Sequence, residues 1–166
     1  MDINNEITFR LFSPADMPII LRWFDRGDFY YYSTTPKFVA ENEIESFLIQ
    51  RGNTFIIEAE SKPIGLCDFH LLDARAKCCN IEVAFSYNDM SKDKKSQILK
   101  IFLSHIFQHI DVLKINKLVY GFDQNSLALC KDVGMKIEGA YEKHIYWEGE
   151  YHDLIYMAIL KHKLSP

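Results

Sequence analysis

Three side chains or pairs in this sequence are placed to do acid–base chemistry. Glu82 stands in the middle of the apolar run Ile81-Glu82-Val83-Ala84-Phe85. Either it faces solvent by strand alternation, or it is buried, in which case its pKa rises towards neutrality and it can work as a general base. Asp68 and His70 lie two residues apart in a β-prone run and so share one strand face. They form a second acid–base or substrate-binding pair, with an ordinary half-buried histidine as the plainer alternative. Cys130 carries a thiol that ordinarily titrates near about 8.5, which suits a proton donor, although a small core residue is the simpler use of it. No spacing marks a Cys–His nucleophilic pair.

A second group of residues is suited to binding. Phe29-Tyr30-Tyr31-Tyr32 places four aromatics in a row between two helix-like segments. Such a run either folds over the core or walls a pocket for a small acceptor. Asp25, Asp28, Glu41 and Glu43 around it would suit a cationic amine. His152 and Asp153 near the last turn are open to two roles, orienting an acceptor or holding the turn. The cysteines Cys67, Cys78, Cys79 and Cys130 form no Cys-x-x-Cys pair and have no zinc-like histidine spacing, so free thiols are expected and no metal.

These residues need a scaffold, and the composition bounds it. A chain of 166 residues with 48% hydrophobic content can build one full core, so residues 1–166 are expected to form one domain. The net charge of −4, with lysines and arginines dispersed, argues against a sequence-independent grip on nucleic acid. No apolar run approaches the roughly 18 residues that a bilayer requires, and the polar, acidic start is unlike a secretory signal. A cytoplasmic protein without membrane or nucleic-acid partners is the expectation.

The pattern along the chain predicts a strand over 7–12, ended by Ser13-Pro14, which can cap and open a helix reaching Arg26. A shorter helix is predicted over 41–50. Strands over 53–60, 63–72 and 76–86 should form an antiparallel meander whose first turn is Ser61-Lys62. Leu99, Phe102, Leu103, Ile106 and Ile110 make the apolar stripe of a helix over 94–110. A strand over 117–122, a short helix over 126–133 capped by Asp123 or Asn125 and stopped by Gly134, and strands over 137–145 and 153–160 complete the chain. Strand, helix and strand at 81–122 call for one parallel crossover in an otherwise antiparallel sheet, giving a mixed α/β fold.

That order of elements, together with Gly134-Met135-Lys136-Ile137-Glu138-Gly139-Ala140 and Trp147-Glu148-Gly149-Glu150-Tyr151-His152-Asp153, resembles the GNAT superfamily of acyl-CoA-dependent N-acetyltransferases. The similarity is to the branch with ribosomal-protein-alanine, amino-sugar and polyamine acetyltransferases. It implies a mostly antiparallel sheet with helices on both faces, and acetyl transfer from acetyl-CoA, as co-substrate, to a small amine or a peptide N-terminus. A homodimer through exposed sheet edges would also fit this resemblance.

By the same resemblance, the cofactor sits where a central strand ends and the next helix begins, held by glycine-lined backbone N–H groups. Those places fall on Phe85, Ser86 and Tyr87, whose N–H groups would stabilise an oxyanion, and on Ser91, Lys92, Asp93, Lys94 and Lys95. Asp93 stands where a glycine is usual and Lys95 where Gly or Ala is. Lysines 92, 94 and 95 offer point charges instead. Asp123 falls where an asparagine near the pantetheine arm is usual, and Ser126 matches the small residue at its place. The glycine-free loop leaves an alternative reading, a binding or regulatory module of the same fold without acyl transfer.

Overall fold

The strands β1 (Ile7–Leu11), β2 (Thr54–Ala59), β3 (Lys62–Asp73), β4 (Cys78–Phe85), β5 (Lys114–Tyr120), β6 (Lys136–Trp147) and β7 (Glu150–Leu160) are hydrogen-bonded in the order β1-β2-β3-β4-β5-β7-β6. Between them lie the helices α1 (Met17–Asp25), α2 (Glu41–Arg51), α3 (Lys92–His109) and α4 (Gln124–Asp132). The computed structural model describes residues 7–25, 41–73, 75–86 and 90–164, so the aromatic run 29–32 and Tyr87 lie outside the described residues. The β4–β5 pair is parallel and the β1–β2, β2–β3, β5–β7 and β6–β7 pairs are antiparallel, which is the expected mixed sheet. By its contacts the chain divides into two compact units.

The first unit comprises Met1–His70 and Glu82–Met90. Met17, Ile20 and Trp23 recur at helical spacing on α1, and Ile44 and Leu48 on α2. These side chains pack with Ile56, Leu66 and Ala84 into one buried cluster. Burying each large side chain stabilises by roughly 1.5–3 kcal/mol, so this cluster rather than helix propensity holds the short α1 and α2. The turn between β2 and β3 is Glu60-Ser61, one residue before the expected place, with both residues at positive φ (50° and 61°). Two left-handed residues match the twist of a tight hairpin, even without glycine. Gly65 has a steric reason: a Cβ there would sit 2.5 Å from the Ala84 carbonyl oxygen, so the close approach of these strands requires its absence.

The chain enters α1 through Pro14–Asp16, a 3-10 turn with Ser13 as its cap. The Asp16 carboxylate accepts from the Ser13 N–H at 2.9 Å and from Arg10 at 2.7 and 2.9 Å. Arg10 also binds Glu58 at 2.8 Å, which ties β1, the turn and β2 together. The hydrogen bonds from Arg10 hold Asp16 below its ordinary carboxylate pKa.

The second unit comprises Leu71–Ile81 and Ser91–Pro166. Here β4 and β5 pair in parallel at Cys78, Cys79 and Asn80 against Lys114, Ile115 and Asn116. α3 buries Ile98, Leu99, Phe102, Leu103, Ile106 and Phe107, which keeps four of the five stripe residues and adds Ile98 and Phe107, whereas Ile110 is the C-cap, extended and half-buried. β5 begins at Lys114, three residues before the sequence pattern places it, because Lys114, Ile115 and Asn116 already pair with β4 on one side and β7 on the other, and the polar Asn116 and Lys117 there hide the strand from an apolar pattern. Gly134 ends α4 as expected. It adopts φ +91°, its N–H donates to the Lys131 carbonyl at 3.0 Å, and the Met135 N–H reaches back to Cys130 at 3.0 Å. This double closure satisfies carbonyls that the helix leaves open. β7 starts at Glu150 rather than 153, so the β6–β7 turn contracts to Glu148-Gly149.

Candidate active site

In the first unit the candidates lie on β3 and β4. Glu82 is half-buried, as are Phe85 and His70. Asp68 is completely buried, and Nη1 of Arg51 approaches its two carboxylate oxygens at 2.6 and 2.7 Å. This ion pair fixes the last turn of α2 to β3, and its charges compensate each other out of water. Ser86 is buried and its hydroxyl has no hydrogen-bond partner. Its N–H donates to the Ile64 carbonyl at 2.9 Å, so this amide, expected to face an oxyanion, is already engaged within the sheet.

In the second unit, residues 92–95 are not a loop. α3 begins at Lys92, two residues earlier than the apolar stripe indicates, with Ser91 as its cap. The Ser91 hydroxyl accepts from the Lys94 N–H at 3.3 Å, and its carbonyl accepts from Lys95 at 3.1 Å. The first turn therefore carries Lys92, Lys94 and Lys95 against a single acid, the exposed Asp93. Cations at a helix N-terminus oppose the macrodipole, each by about 0.3–1 kcal/mol, and an anion bound there reverses the sign. Lys92 is held by Asp132 at the end of α4, Nζ to Oδ2 at 2.7 Å, and Ser96 reaches the same oxygen at 3.5 Å. A diphosphate fits this chemistry: the helix supplies a positive end and the lysines supply countercharge.

α4 is capped differently. Asp123 accepts the Ser126 N–H at 3.0 Å through Oδ1, and its carbonyl accepts from Leu127 at 3.1 Å. The structure thus brings Asp123 and Ser126 together as a helix cap. Cys130, on the inner face of α4, is completely buried. Among the described residues no group of three or more His, Cys, Asp or Glu converges as a metal would require.

Beside the α4 cap lies an aromatic column that the sequence pattern does not disclose. Tyr120 stacks on Phe122 with centroids 5.3 Å apart at 3°, and Phe122 stacks on Trp147 at 5.9 Å and 20°. His152 meets Phe122 edge-on at 4.9 Å, with Nε2 3.3 Å from the Trp147 carbonyl. Tyr120 and Phe122 are adjacent to a turn and Trp147 and His152 to another, so only the pairing of β5 with β7 and of β7 with β6 assembles them. The available signal was the i, i+2 spacing of Tyr120 and Phe122. Asp153 is structural: its Oδ1 accepts the Lys143 N–H at 2.9 Å, and its carbonyl accepts the Gly121 N–H at 2.8 Å.

No family model and no curated protein matches the sequence. Solved structures do match. A spermidine N-acetyltransferase from Vibrio cholerae, in complex with CoA and spermine, superposes with a TM-score of 0.84 at 18% identity, covering 97% of this chain and 99% of that one. The chain has the GNAT acetyltransferase fold. A GNAT-family acetyltransferase from Bacillus anthracis matches with a TM-score of 0.79 at 21% identity over 95% of this chain and 96% of that one. RimL, a ribosomal L7/L12 alpha-N-protein acetyltransferase in complex with CoA, matches at 0.81 and 16% identity over 95% and 96%. At such identities the GNAT likeness is one of backbone, and activity must be argued from side chains.

Proposed function

We propose that this chain is an N-acetyltransferase that moves an acetyl group from acetyl-CoA to a primary amine of a small molecule or a protein N-terminus. The observation that carries this reading is the lysine-crowded first turn of α3, within a fold shared with acetyltransferases crystallised with CoA. Lys92, Lys94 and Lys95 would hold the diphosphate, and Asp132 keeps Lys92 oriented in its absence. Bound acetyl-CoA supplies the activated thioester. Glu82, half-buried on β4, is the proposed acceptor of the ammonium proton.

Thermal unfolding with acetyl-CoA and with free CoA tests the binding step, since a ligand selective for the folded state must raise Tm. Thiol release with a panel of amines tests transfer. No Tm shift with either ligand at millimolar concentration overturns the reading.

A second reading, a binding module without transfer, is favoured by the negative charge of Asp93 and Asp123 at both helix N-termini. A Tm shift without thiol release for any amine would select it. The wider reading places the protein in the cytoplasm, supported by four free thiols, and no helix among the described residues is long and apolar enough to cross a membrane. It also includes a homodimer, supported by the exposure of Ile137 and Tyr141 on the outer strand β6, 52% each. Light scattering checks that state.

A further inference from the structure

α3 ends on two histidines one helical turn apart. His105 and His109 stand at i and i+4, so both rings project from the same strip of the helix, and both are exposed. Their ring centroids lie 4.3 Å apart with 31° between the planes. Nδ1 of His109 is 2.9 Å from the His105 carbonyl oxygen. A carbonyl oxygen only accepts, so Nδ1 carries the hydrogen and Nε2 of that ring holds the lone pair. A backbone carbonyl that fixes the tautomer in this way is the usual support of a metal-ligating imidazole.

Protonation is opposed at the other ring. His105 has a pKa below its ordinary 6.5, first because part of its ring is desolvated and then because His109 lies beside it, so at pH 7 it too offers a lone pair. An anion would require both rings charged, which their contact opposes. A cation that accepts lone pairs meets no such cost. It is also favoured by the partial negative charge at the C-terminal end of a helix, and His109 is the last residue of α3. Two metal–nitrogen bonds of about 2.0–2.1 Å span about 3.4 Å in tetrahedral geometry. Rings already in contact reach that span by side-chain torsion, because six buried side chains of α3 hold its backbone in place.

We propose that His105 and His109 form a two-histidine chelate on the exposed face of α3 for a divalent transition-metal ion such as Zn²⁺ or Cu²⁺. Imidazole nitrogen suits these ions and discriminates against Mg²⁺ and Ca²⁺, which take oxygen ligands. Asp111, two residues past His109, is engaged by Lys77 at 3.0 and 3.1 Å, and among the described residues no third His, Cys, Asp or Glu joins the pair. Two protein ligands are fewer than a closed structural centre uses, so water fills the remaining positions and the ion exchanges with the medium. His105 lies ten residues beyond Lys95, roughly 15 Å along the helix axis, so the chelate stands apart from the lysine turn and does not rest on the acetyltransferase reading.

Isothermal titration of the intact, metal-free protein with ZnCl₂, without CoA or amine, tests the chelate beside the variants His105→Gln and His109→Gln. Both side chains are exposed, so each variant should keep the far-ultraviolet circular dichroism of wild type. Either substitution should weaken Zn²⁺ binding by at least about tenfold, since even the loss of a supporting hydrogen bond costs a metal site about 10- to 100-fold. Nitrogen-15 spectra of the imidazoles should show His109 as the Nδ1–H tautomer before metal is added, and its Nε2 resonance should shift with Zn²⁺. Binding that persists undiminished in both variants belongs to other side chains and overturns the proposal, as does equal binding of Mg²⁺ or no binding at millimolar Zn²⁺. The resonance shift is read in wild type, so its absence at saturating Zn²⁺ overturns the proposal even where a variant misfolds.

Discussion

Asp16 shows how one carboxylate can carry a measurable pH dependence. Arg10 lowers its folded pKa below the ordinary 3.8, so the folded state prefers the ionised form more than the unfolded state does. The resulting stability is complete above the unfolded value and is lost as pH falls through the folded one. Arg10→Met should therefore lower Tm at pH 7, and the gap between variant and wild type should close as pH drops below about 4; a gap unchanged down to pH 2 would refute the assignment. Gly65→Ala should cost about 1–3 kcal/mol in denaturant unfolding, because its Cβ meets a backbone carbonyl that cannot rotate away. Cys130→Ala should lower Tm without lowering kcat, as expected for a thiol packed in the α4 core, and a fall in kcat at unchanged Tm would instead place the thiol on the proton path. At this scale the sequence disclosed local roles well: Asp123 as a cap and Gly134 as a stop depend on neighbours three or four residues away. Asp68 was legible only as a charge in a strand, since its partner Arg51 belongs to a different element.

At the scale of elements, α3 departs most from its sequence pattern. An apolar stripe locates the middle of a helix, whereas its start is set by capping, and Ser91 starts this one before the stripe begins. The residues that resembled a cofactor loop became a first turn, which exchanges close backbone approach for lysine charge. That exchange predicts a strong salt dependence of CoA binding. Replacing Lys92, Lys94 and Lys95 together by Gln should weaken binding and flatten its dependence on ionic strength, whereas Asp93→Gly should strengthen it by a few-fold, the effect of one charge near a helix end. Isothermal titration at two salt concentrations separates these outcomes, and no change in Asp93→Gly would show that this carboxylate does not oppose the ligand. The aromatic column was illegible for a related reason: Tyr120, Phe122, Trp147 and His152 come from separate stretches, and strand register alone brings them together.

For the molecule as a whole, the order of elements carried the fold. Alternating strand and helix patterns, with one strand–helix–strand crossover, were enough to imply a mixed sheet with a parallel pair at the crossover, and β4–β5 is parallel. The site was less legible because its chemistry depends on which groups are engaged, as with the Ser86 amide and the Asp123 carboxylate. The outer strands have a separate consequence. One edge is β1, and at the other β6 breaks register twice, between Ile137 and Gly139 and between Tyr141 and Ile145. The second break is held by Lys143 at φ +50°, whose amide is bound by Asp153. A strand so interrupted is a poor template for continuous strand-to-strand pairing, so a dimer through β6 would rest on the exposed Ile137 and Tyr141 side chains and not on an extended ladder, and copies of this chain should resist assembling into fibres even when crowded. Asp153→Ala would remove the latch, and thioflavin fluorescence during agitation should then rise sooner than in wild type.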